Sequence, residues 1–343
     1  MILINKTIEL KKFRSFINGL FTKYGQTHFH HYYGIESALI QNKHNDFYVA
    51  IDIKNSIVSA FGRKSSDTWE CFFKGFPLLT TNNIDQNKIE GFVKEIKSIL
   101  GANTLYFPLV YRTSRILSTF QNKDQFYIYE RLSNQIIKPP FDQEEIWKRV
   151  RKRYGSRADK QKSKFEKDLH TKTFSGNDVK DMISNVESNS WKRIYKQDMF
   201  SRDNQIDYYN NLVKSGLAEI VFACNKTDLP VAFMINVEIN KILYVLKWSY
   251  DDHFKKYSPG FYLLTVDLPR RYGDTKYKYI DLYGSLDSLK ALVKTDEIKR
   301  VDVIFSDHRK EVKQFSRGKI AYDSRVRNNY EKNFGIKNLF NLD

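Results

Sequence analysis

The stretch that decides the fold is "KWSYDDHFKKYSPGFYLL", residues 247–264. Its first part ends an alternating apolar run typical of a strand, and its last part opens an apolar helix. The two are joined by charged residues and by Tyr257-Ser258-Pro259-Gly260. A turn that leads from a strand into a helix presents unpaired backbone N–H groups and the positive end of the helix dipole, which together bind phosphate. The joint therefore predicts a phosphate-binding turn.

The residues of this joint suit a helix start. Ser258 is expected to cap the helix, Pro259 suits its first position, and Gly260 allows a ligand to approach the backbone closely. Pro269 predicts that the helix ends or kinks after about ten residues. An ordinary Ser-Pro helix start is the alternative interpretation of the tripeptide alone.

The rest of the second half places this joint in a recognisable order of elements. Two helices are predicted, one after the start signal at 175–178 and one that stops at Gly216. Three strands follow, with a turn at 225–229 between the first two, and then the helix that begins near Pro259. Two further strands are predicted at "YKYIDLYG" and "VDVIFS". The joint thus lies between the third and fourth strands.

The first half is predicted to be mixed α/β, with a helix over 85–100 among short strands. A helix-like basic tract runs from Phe141 to about Leu169 and carries ten Lys or Arg between 148 and 167. Because X-Pro pairs interrupt regular structure, the double proline before this tract predicts a boundary between domains 1–140 and 141–343. The tract is either a solvated helix or a surface for phosphates.

Composition bounds the possible functions. The 343 residues fit about two domains, and 41% hydrophobic with 15% aromatic residues exclude disorder throughout. A net charge of +17 favours nucleic acid, an anionic membrane surface, or a phosphorylated ligand or carrier. Without a signal peptide or a transmembrane segment in the sequence, we expect a soluble, cytoplasmic protein. Cys71 and Cys224 are expected to be buried thiols.

Other kinds of site are disfavoured. The histidines of "HFHH" at 28–31 are too close in sequence for a usual tetrahedral set, and no cysteine or acidic cluster accompanies them. We therefore expect no metal. Hydrolysis fits poorly, since neither paired glycosidase carboxylates nor a Ser-His-Asp signature is evident.

Four stretches together resemble a known family. They are "ESNSWK", "FACNKTDLPVAF", "WSYDDHFKKYSPGFYLL" and "YIDLYGSLDSLK". Residues 141–290 resemble the CelD/BcsL-type acetyltransferases, whose halves resemble the tandem GNAT-like domains of Fem-type aminoacyltransferases. The resemblance implies an α/β (α+β) fold of two tandem GNAT-like domains, each a mixed, mostly antiparallel sheet flanked by helices. It also implies transfer of an acyl group from acetyl-CoA or another acyl-CoA to an amine.

The resemblance implies roles for individual residues. The donor would be held by Trp248, Ser258, Gly260 and Phe261. The acceptor would be held by Trp191, Lys192, Tyr250, Tyr283 and Lys290. Asp281 would orient or deprotonate the attacking ammonium, and Tyr257 would protonate the departing thiolate. For Trp191, Trp248 and Tyr250 the alternative is core packing, for Asp281 a structural hydrogen bond, and for Lys290 a solvated surface position.

Three hypotheses follow. The first is an N-acyltransferase acting on a small-molecule acceptor. The resemblance implies an acceptor such as a nucleotide-linked amino sugar, because members of that family are associated with surface-polysaccharide synthesis. Because Tyr-Ser-Pro-Gly replaces a loop of several glycines, an acyl carrier protein could also present the donor. The second is a Fem-like aminoacyltransferase that uses charged tRNA, which the basic tract favours. The third is a nonenzymatic nucleic-acid-binding protein on a GNAT-like fold. The oligomeric state is left open.

Overall fold

A computed structural model describes residues 1–24, 35–36, 39, 47–73, 76–80, 84–120, 125–139, 142–190, 192–193, 196, 198–200, 205–273, 276–283, 289–308 and 312. The chain forms two compact units. The first combines Met1–Ser133 with the part of the chain from Ile298 onward, and the second is Asn134–Glu297. The boundary after residue 140 stays a prediction of where the catalytic domain begins.

The first unit alternates short strands and helices. Its elements are β1 (Ile2–Ile4), α1 (Thr7–Lys11), α2 (Arg14–Tyr24), β2 (Phe47–Asp52), β3 (Ile57–Arg63), β4 (Thr68–Cys71), β5 (Leu79–Thr80), α3 (Gln86–Ile99), β6 (Thr104–Tyr111), α4 (Arg115–Phe120) and β7 (Phe126–Ile137), of which 126–133 belong to this unit.

The sheet of the first unit follows the order β1-β2-β3-β4-β6, with β5 beside β3. The pairs are antiparallel except for β4 and β6, which are parallel and are connected through α3. The helix predicted over 85–100 is α3, and it buries Ile89, Phe92, Val93 and Ile96 at helical spacing. The apolar stripe of α3 therefore packs into the core of this unit.

The second unit holds the remaining elements. They are α5 (Gln143–Tyr154), α6 (Ser156–Asp168), β8 (Leu169–Phe174), α7 (Lys180–Ser188), α8 (Gln205–Lys214), β9 (Ala218–Asn225), β10 (Pro230–Ile239), β11 (Ile242–Tyr250), a 3-10 turn (Asp252–Tyr257), α9 (Pro259–Tyr262), a π-helical turn (Leu263–Asp267), α10 (Leu268–Tyr272), β12 (Tyr279–Asp281), α11 (Lys290–Val293) and the start of β13 (Asp296–Ser306). Residues 298–306 of β13 lie in the first unit and pair antiparallel with β6.

The sheet of the second unit runs β8-β9-β10-β11-β12 and is completed by residues 134–137 of β7. All pairs are antiparallel except β11 and β12, which are parallel. The turn predicted at 225–229 joins β9 and β10, where the Asn225 side chain accepts the N–H groups of Thr227 and Leu229. The predicted fold class, α/β with mixed sheets flanked by helices, is confirmed.

The basic tract forms two helices. Both α5 and α6 are helical as predicted, but Gly155 separates them with a φ of 58°. Glycine adopts this left-handed conformation without steric cost, so it turns the chain between the two helices.

Pro269 does not end the helix that begins at Pro259, so the predicted end was wrong, whereas the alternative of a kink stays a prediction. The chain stays helical through α9, the π-helical turn and α10 as far as Tyr272. In the wider π turn the N–H of Leu268 bonds the carbonyl of Leu263, five residues back. The proline lies just after this wide turn, which gives its ring room beside the preceding carbonyls.

Among the described residues, no helix has both the length and the apolar character needed to cross a membrane. Both cysteines are buried free thiols, as expected.

Candidate active site

The strand β11 extends past its parallel partner. Its register with β12 ends at the pair Tyr244 and Asp281, and β11 continues to Tyr250. The last six residues of β11, 245–250, therefore have no register partner on β12. Beyond Asp281, β11 therefore continues without a register partner from β12.

A β-bulge sets the directions of the side chains along this edge. On β10, Ile235 pairs with Lys247 but the next residue pairs with Val245, so Leu246 is the extra residue. Without it, Trp248 would lie on the face opposite Val245. With it, Trp248 packs against the same apolar core as Val245. The sequence alone gives no sign of this bulge.

The two faces of β11 therefore carry different groups. Tyr250 follows Trp248 onto the core face, where it lies next to α9. Ser249 points to the opposite face, which it shares with Tyr244 and its register partner Asp281. The helix α7 packs on β10 and β11, and Ser190, which follows it, bonds Ser249 Oγ at 3.1 Å. We call these the α9 face and the α7 face.

The turn on the α9 face differs from a capped helix start. Pro259 is the first helical residue, as predicted, but Ser258 adopts a left-handed conformation with a φ of 48°. Its side chain makes no capping hydrogen bond, so the predicted cap was wrong. No group among the described residues accepts the N–H of Gly260 or Phe261. Two amides at the positive end of the helix are therefore available to an anion.

Gly260 is buried but does not have the left-handed backbone that would require glycine. A Cβ built on it would lie 3.6 Å from Cδ1 of Tyr250, an ordinary contact distance. Alanine is therefore expected to fit at this position, whereas a longer, charged side chain would enter the space between the helix start and Tyr250.

Phe261 and Tyr257 line the turn on either side. The Phe261 ring contacts Trp147 and Tyr154 of α5, with centroids 6.3 Å and 5.8 Å away. Two lysines lie over the Tyr257 ring, with the Nζ of Lys164 at 5.4 Å and that of Lys256 at 5.0 Å from its centroid. Aromatic rings and positive charge therefore lie next to the turn.

Lys192 lies beside the end of β11. Its ammonium donates to the carbonyl oxygen of Trp248 at 2.5 Å. Asn189, on the same segment, donates to Asp251 Oδ2 at 3.2 Å and accepts the N–H of Asp252 at 3.0 Å. The segment after α7 is therefore attached to the last residues of β11.

Lys290 is buried rather than solvated, with an exposed fraction of 5%. Its ammonium donates to the carbonyl oxygen of Tyr283 at 3.2 Å and lies 5.1 Å from the centroid of the Trp248 ring. The structure thus brings Trp248, Tyr283 and Lys290 together, all three singled out from the sequence, and it places a cation close to the extended end of β11.

Asp281 has no exposed surface. Its Oδ1 accepts the Asn134 amide at 2.5 Å and the backbone N–H of Tyr283 at 2.8 Å. Burial, and then the charges of Tyr279, Asp281 and Tyr283, raises the pKa of Tyr244 well above its ordinary value. Asp281 is therefore an acidic group of the α7 face, beside the Tyr244 phenol, which stays protonated at neutral pH.

Two groups of predicted residues lie outside the described residues. They are Trp191 and the histidines at 28–31. The described part of the chain holds no cluster of His, Cys, Asp or Glu able to bind a metal ion. Sequence reasoning missed Lys164, Lys256 and Asn134, which contact the site from other elements. Of these three, only Lys164 had a signal in the sequence, because it belongs to the basic tract between 148 and 167.

Residues 142–291 match the family model described as "Acetyltransferase (GNAT) domain". The narrower CelD/BcsL-type assignment stays a prediction. No curated protein matches the sequence significantly.

Three solved structures share the fold over most of the chain. One is the C-terminal domain of a protein described as a lysylphosphatidylglycerol synthetase from Agrobacterium fabrum, with a TM-score of 0.62 at 12% identity, covering 92% of this chain and 96% of that one. FemX gives a TM-score of 0.60 at 11% identity, covering 92% and 99%. L-PGS from Bacillus licheniformis gives 0.54 at 11% identity, covering 87% and 94%. At these identities the likeness shows the fold alone.

The extended strand β11 beside a helix with available N-terminal amides lies inside the segment that matches the family model. The match of residues 142–291, less than half of the chain, to the GNAT acetyltransferase model supports an acyltransferase.

Proposed function

We propose that the second unit transfers an acyl group from a thioester donor to an amine at the extended end of β11. The observation that carries the proposal is that β11 continues for six residues past its pairing with β12, next to a helix whose first amides have no described acceptor. Acyl-CoA is the donor that a GNAT domain typically uses. Its phosphates would bind the amides of Gly260 and Phe261, with Lys164 and Lys256 close by.

The two faces of β11 then divide the reaction. The donor lies along the α9 face, beside Trp248 and Tyr250. The acceptor amine approaches from the α7 face, where Asp281 orients it and accepts its proton, so that the neutral nitrogen can attack. Lys192 holds the strand end on this side through the Trp248 carbonyl.

The chemical step is a direct transfer. The amine nitrogen bonds the thioester carbonyl carbon, and the electron pair of the C=O bond moves to oxygen. A backbone N–H of β11 and the Lys290 ammonium stabilise that oxyanion. The C–S bond then breaks as the C=O bond re-forms, and Tyr257 gives its proton to the departing thiolate. Asp281 keeps the proton that it took from the ammonium before the attack, and the second proton of the nitrogen restores the Tyr257 hydroxyl, so no further reactant is needed.

A thermal-shift comparison tests the donor site. Acetyl-CoA should raise the Tm of the wild type and of Gly260→Ala, since a Cβ at this position meets only an ordinary contact. It should not raise the Tm of Gly260→Asp, whose carboxylate would repel the donor phosphates. Equal stabilisation of all three proteins would show that the phosphates bind elsewhere.

A second candidate is transfer of an aminoacyl group from charged tRNA. The observation in its favour is the exposed positive charge of α5 and α6, next to the turn, which includes Lys152, Arg157 and Lys160. Charged tRNA in the same thermal-shift series separates the two donors. The amino sugar of surface-polysaccharide synthesis stays a prediction from the resemblance.

A further inference from the structure

Glu187 is a buried carboxylate that none of these roles uses. It lies in the last turn of α7 and has no exposed surface. Its Oε2 accepts the backbone N–H of Met199 at 3.0 Å. Its Oε1 is equally buried and has no hydrogen-bond donor among the described residues. No lysine, arginine or histidine in the described part of the chain forms an ion pair with it.

Such a carboxylate is costly for stability alone. A buried anion is normally paired with a cation or surrounded by donors, because its desolvation costs several kcal/mol or more. The contrast within the same unit is Asp267, which is also fully buried but bonds Arg270 at 2.5 Å and Arg271 at 2.6 Å. Glu187 therefore has the capacity to accept a charged donor that the described residues do not supply.

The position of Glu187 connects it to the acceptor side of the site. One helical turn beyond it, Ser190 bonds Ser249, and Lys192 bonds the Trp248 carbonyl. Both contacts lie at the end of β11 that extends past β12, where the acceptor approaches on the α7 face. The helix that carries Glu187 therefore packs against the strand whose end holds the acceptor side of the site.

We propose that Glu187 binds the positive charge of the acceptor through Oε1, and that the acceptor is therefore a cationic primary amine rather than an alcohol. This inference rests on the proposed function. Glu187 acts in recognition, whereas Asp281 takes the proton. Because Glu187 has no exposed surface, the amine reaches Oε1 only if the residues that cover it move.

Ethylammonium chloride is the probe for this site, with sodium chloride at equal ionic strength and ethanol as controls. Ethylammonium should raise the Tm of the wild type above both controls. It should bind Glu187→Gln at least about tenfold more weakly, because the charge-assisted hydrogen bond is lost. If the wild type gains no more from ethylammonium than from sodium, or if Glu187→Gln responds equally, the inference is overturned.

The stability of the variants supplies an independent measurement. Glu187→Gln should melt no lower than the wild type, because it removes an uncompensated charge and keeps the bond from Met199. Asp267→Asn, the matched control, should melt lower because its two arginines lose their partner. A Glu187→Gln variant that melts as low as Asp267→Asn would mean that Glu187 is structural and would overturn the inference.

Acetyl-CoA separates this inference from the proposed function. Stabilisation by acetyl-CoA without stabilisation by ethylammonium would overturn the role of Glu187 and leave the transferase site standing. The reverse result would overturn the donor site and leave the cation site standing.

Discussion

The two units contain the same local arrangement with different chemistry. Each has one parallel pair of strands connected through a helix, β4 and β6 through α3 in the first unit, and β11 and β12 through α9 in the second. The helix starts differ. Asp85 caps α3 by accepting the N–H of Asn87 at 2.8 Å. Ser258 caps nothing. A carboxylate at the first helix start repels phosphate, whereas the open amides at the second attract it.

The residues in the last register pair of the two parallel strands also differ between the units. In the first unit Glu70 pairs with Tyr106, and in the second Tyr244 pairs with Asp281. The Tyr106 hydroxyl donates to Asp302 at 2.6 Å, and burial, together with that carboxylate, raises its pKa far above the ordinary value. The first unit thus has a locked phenol where the second has a carboxylate. The two units share the arrangement, whereas the proposed donor site and base lie in the second unit.

The largest expected effect comes from removing the carboxylate of Asp281, which distinguishes the second unit from the first. Asp281→Asn keeps an oxygen for the Tyr283 N–H but cannot accept a proton, so kcat should fall by about 100-fold with the KM for acetyl-CoA nearly unchanged. Steady-state kinetics with an amine acceptor measures both. Tyr106→Phe is the matched change in the first unit and should leave kcat as it is. An undiminished kcat in Asp281→Asn would remove the base role.

The next effect is expected when the charge at the two helix starts is changed. Ser258→Asp gives the second unit the carboxylate that Asp85 supplies in the first, and aspartate tolerates the left-handed backbone. The KM for acetyl-CoA should rise by about tenfold, through repulsion of its phosphates. Asp85→Ala should cost about 1 kcal/mol of unfolding free energy and leave the KM unchanged. A KM that responds to Asp85 and not to Ser258 would place the donor in the first unit.

A smaller effect is expected on the surface of α5 and α6. If charged tRNA binds there, the triple variant Lys152→Gln, Arg157→Gln, Lys160→Gln should reduce the slope of log affinity against log salt by about 0.9 for each phosphate that it no longer neutralises. Filter binding over a range of salt concentrations measures this slope.

Three exposed lysines of the first unit provide the control for that surface: Lys12, Lys54 and Lys88. Their change to glutamine removes the same net charge. If both triple variants reduce the slope equally, tRNA responds to total charge only, and the specific surface is wrong.

The sequence predicted much of the fold because periodicity and turn residues act locally. The helix α3, the turn at 225–229 and the helix start at Pro259 all follow from nearby residues. The bulge at Leu246 and the three-residue length of β12 could not be predicted, because pairing between strands decides them. The left-handed Ser258 also escaped prediction, since its letters equally suit an ordinary cap.

The site could be predicted only in part, because contacts between distant segments decide the burial of its residues. Trp248, Tyr283 and Lys290 meet in the structure, yet Lys290 was as well explained by a solvated position until its burial was known. Glu187 begins the stretch "ESNSWK" that carries part of the resemblance, but no role was predicted for it, because a glutamate at a helix end is ordinarily exposed. Its burial depends on Met199, a contact between segments that no local pattern encodes.

The smallest expected effect concerns alkaline stability. Burial, followed by the charge of Glu166, raises the pKa of Tyr262 from 10.0 to about 12. The unfolded chain therefore loses this proton at a lower pH than the folded chain, so the stabilisation is complete below pH 10 and is lost as the pH rises towards 12. Urea unfolding at a series of alkaline pH values should show a shallower decline for Tyr262→Phe than for the wild type. Tyr106→Phe should flatten the decline more, because the Tyr106 pKa is raised further. If Tyr262→Phe and the wild type decline in parallel, the hydroxyl of Tyr262 titrates alike in both states, and its bond to Glu166 contributes nothing in this range.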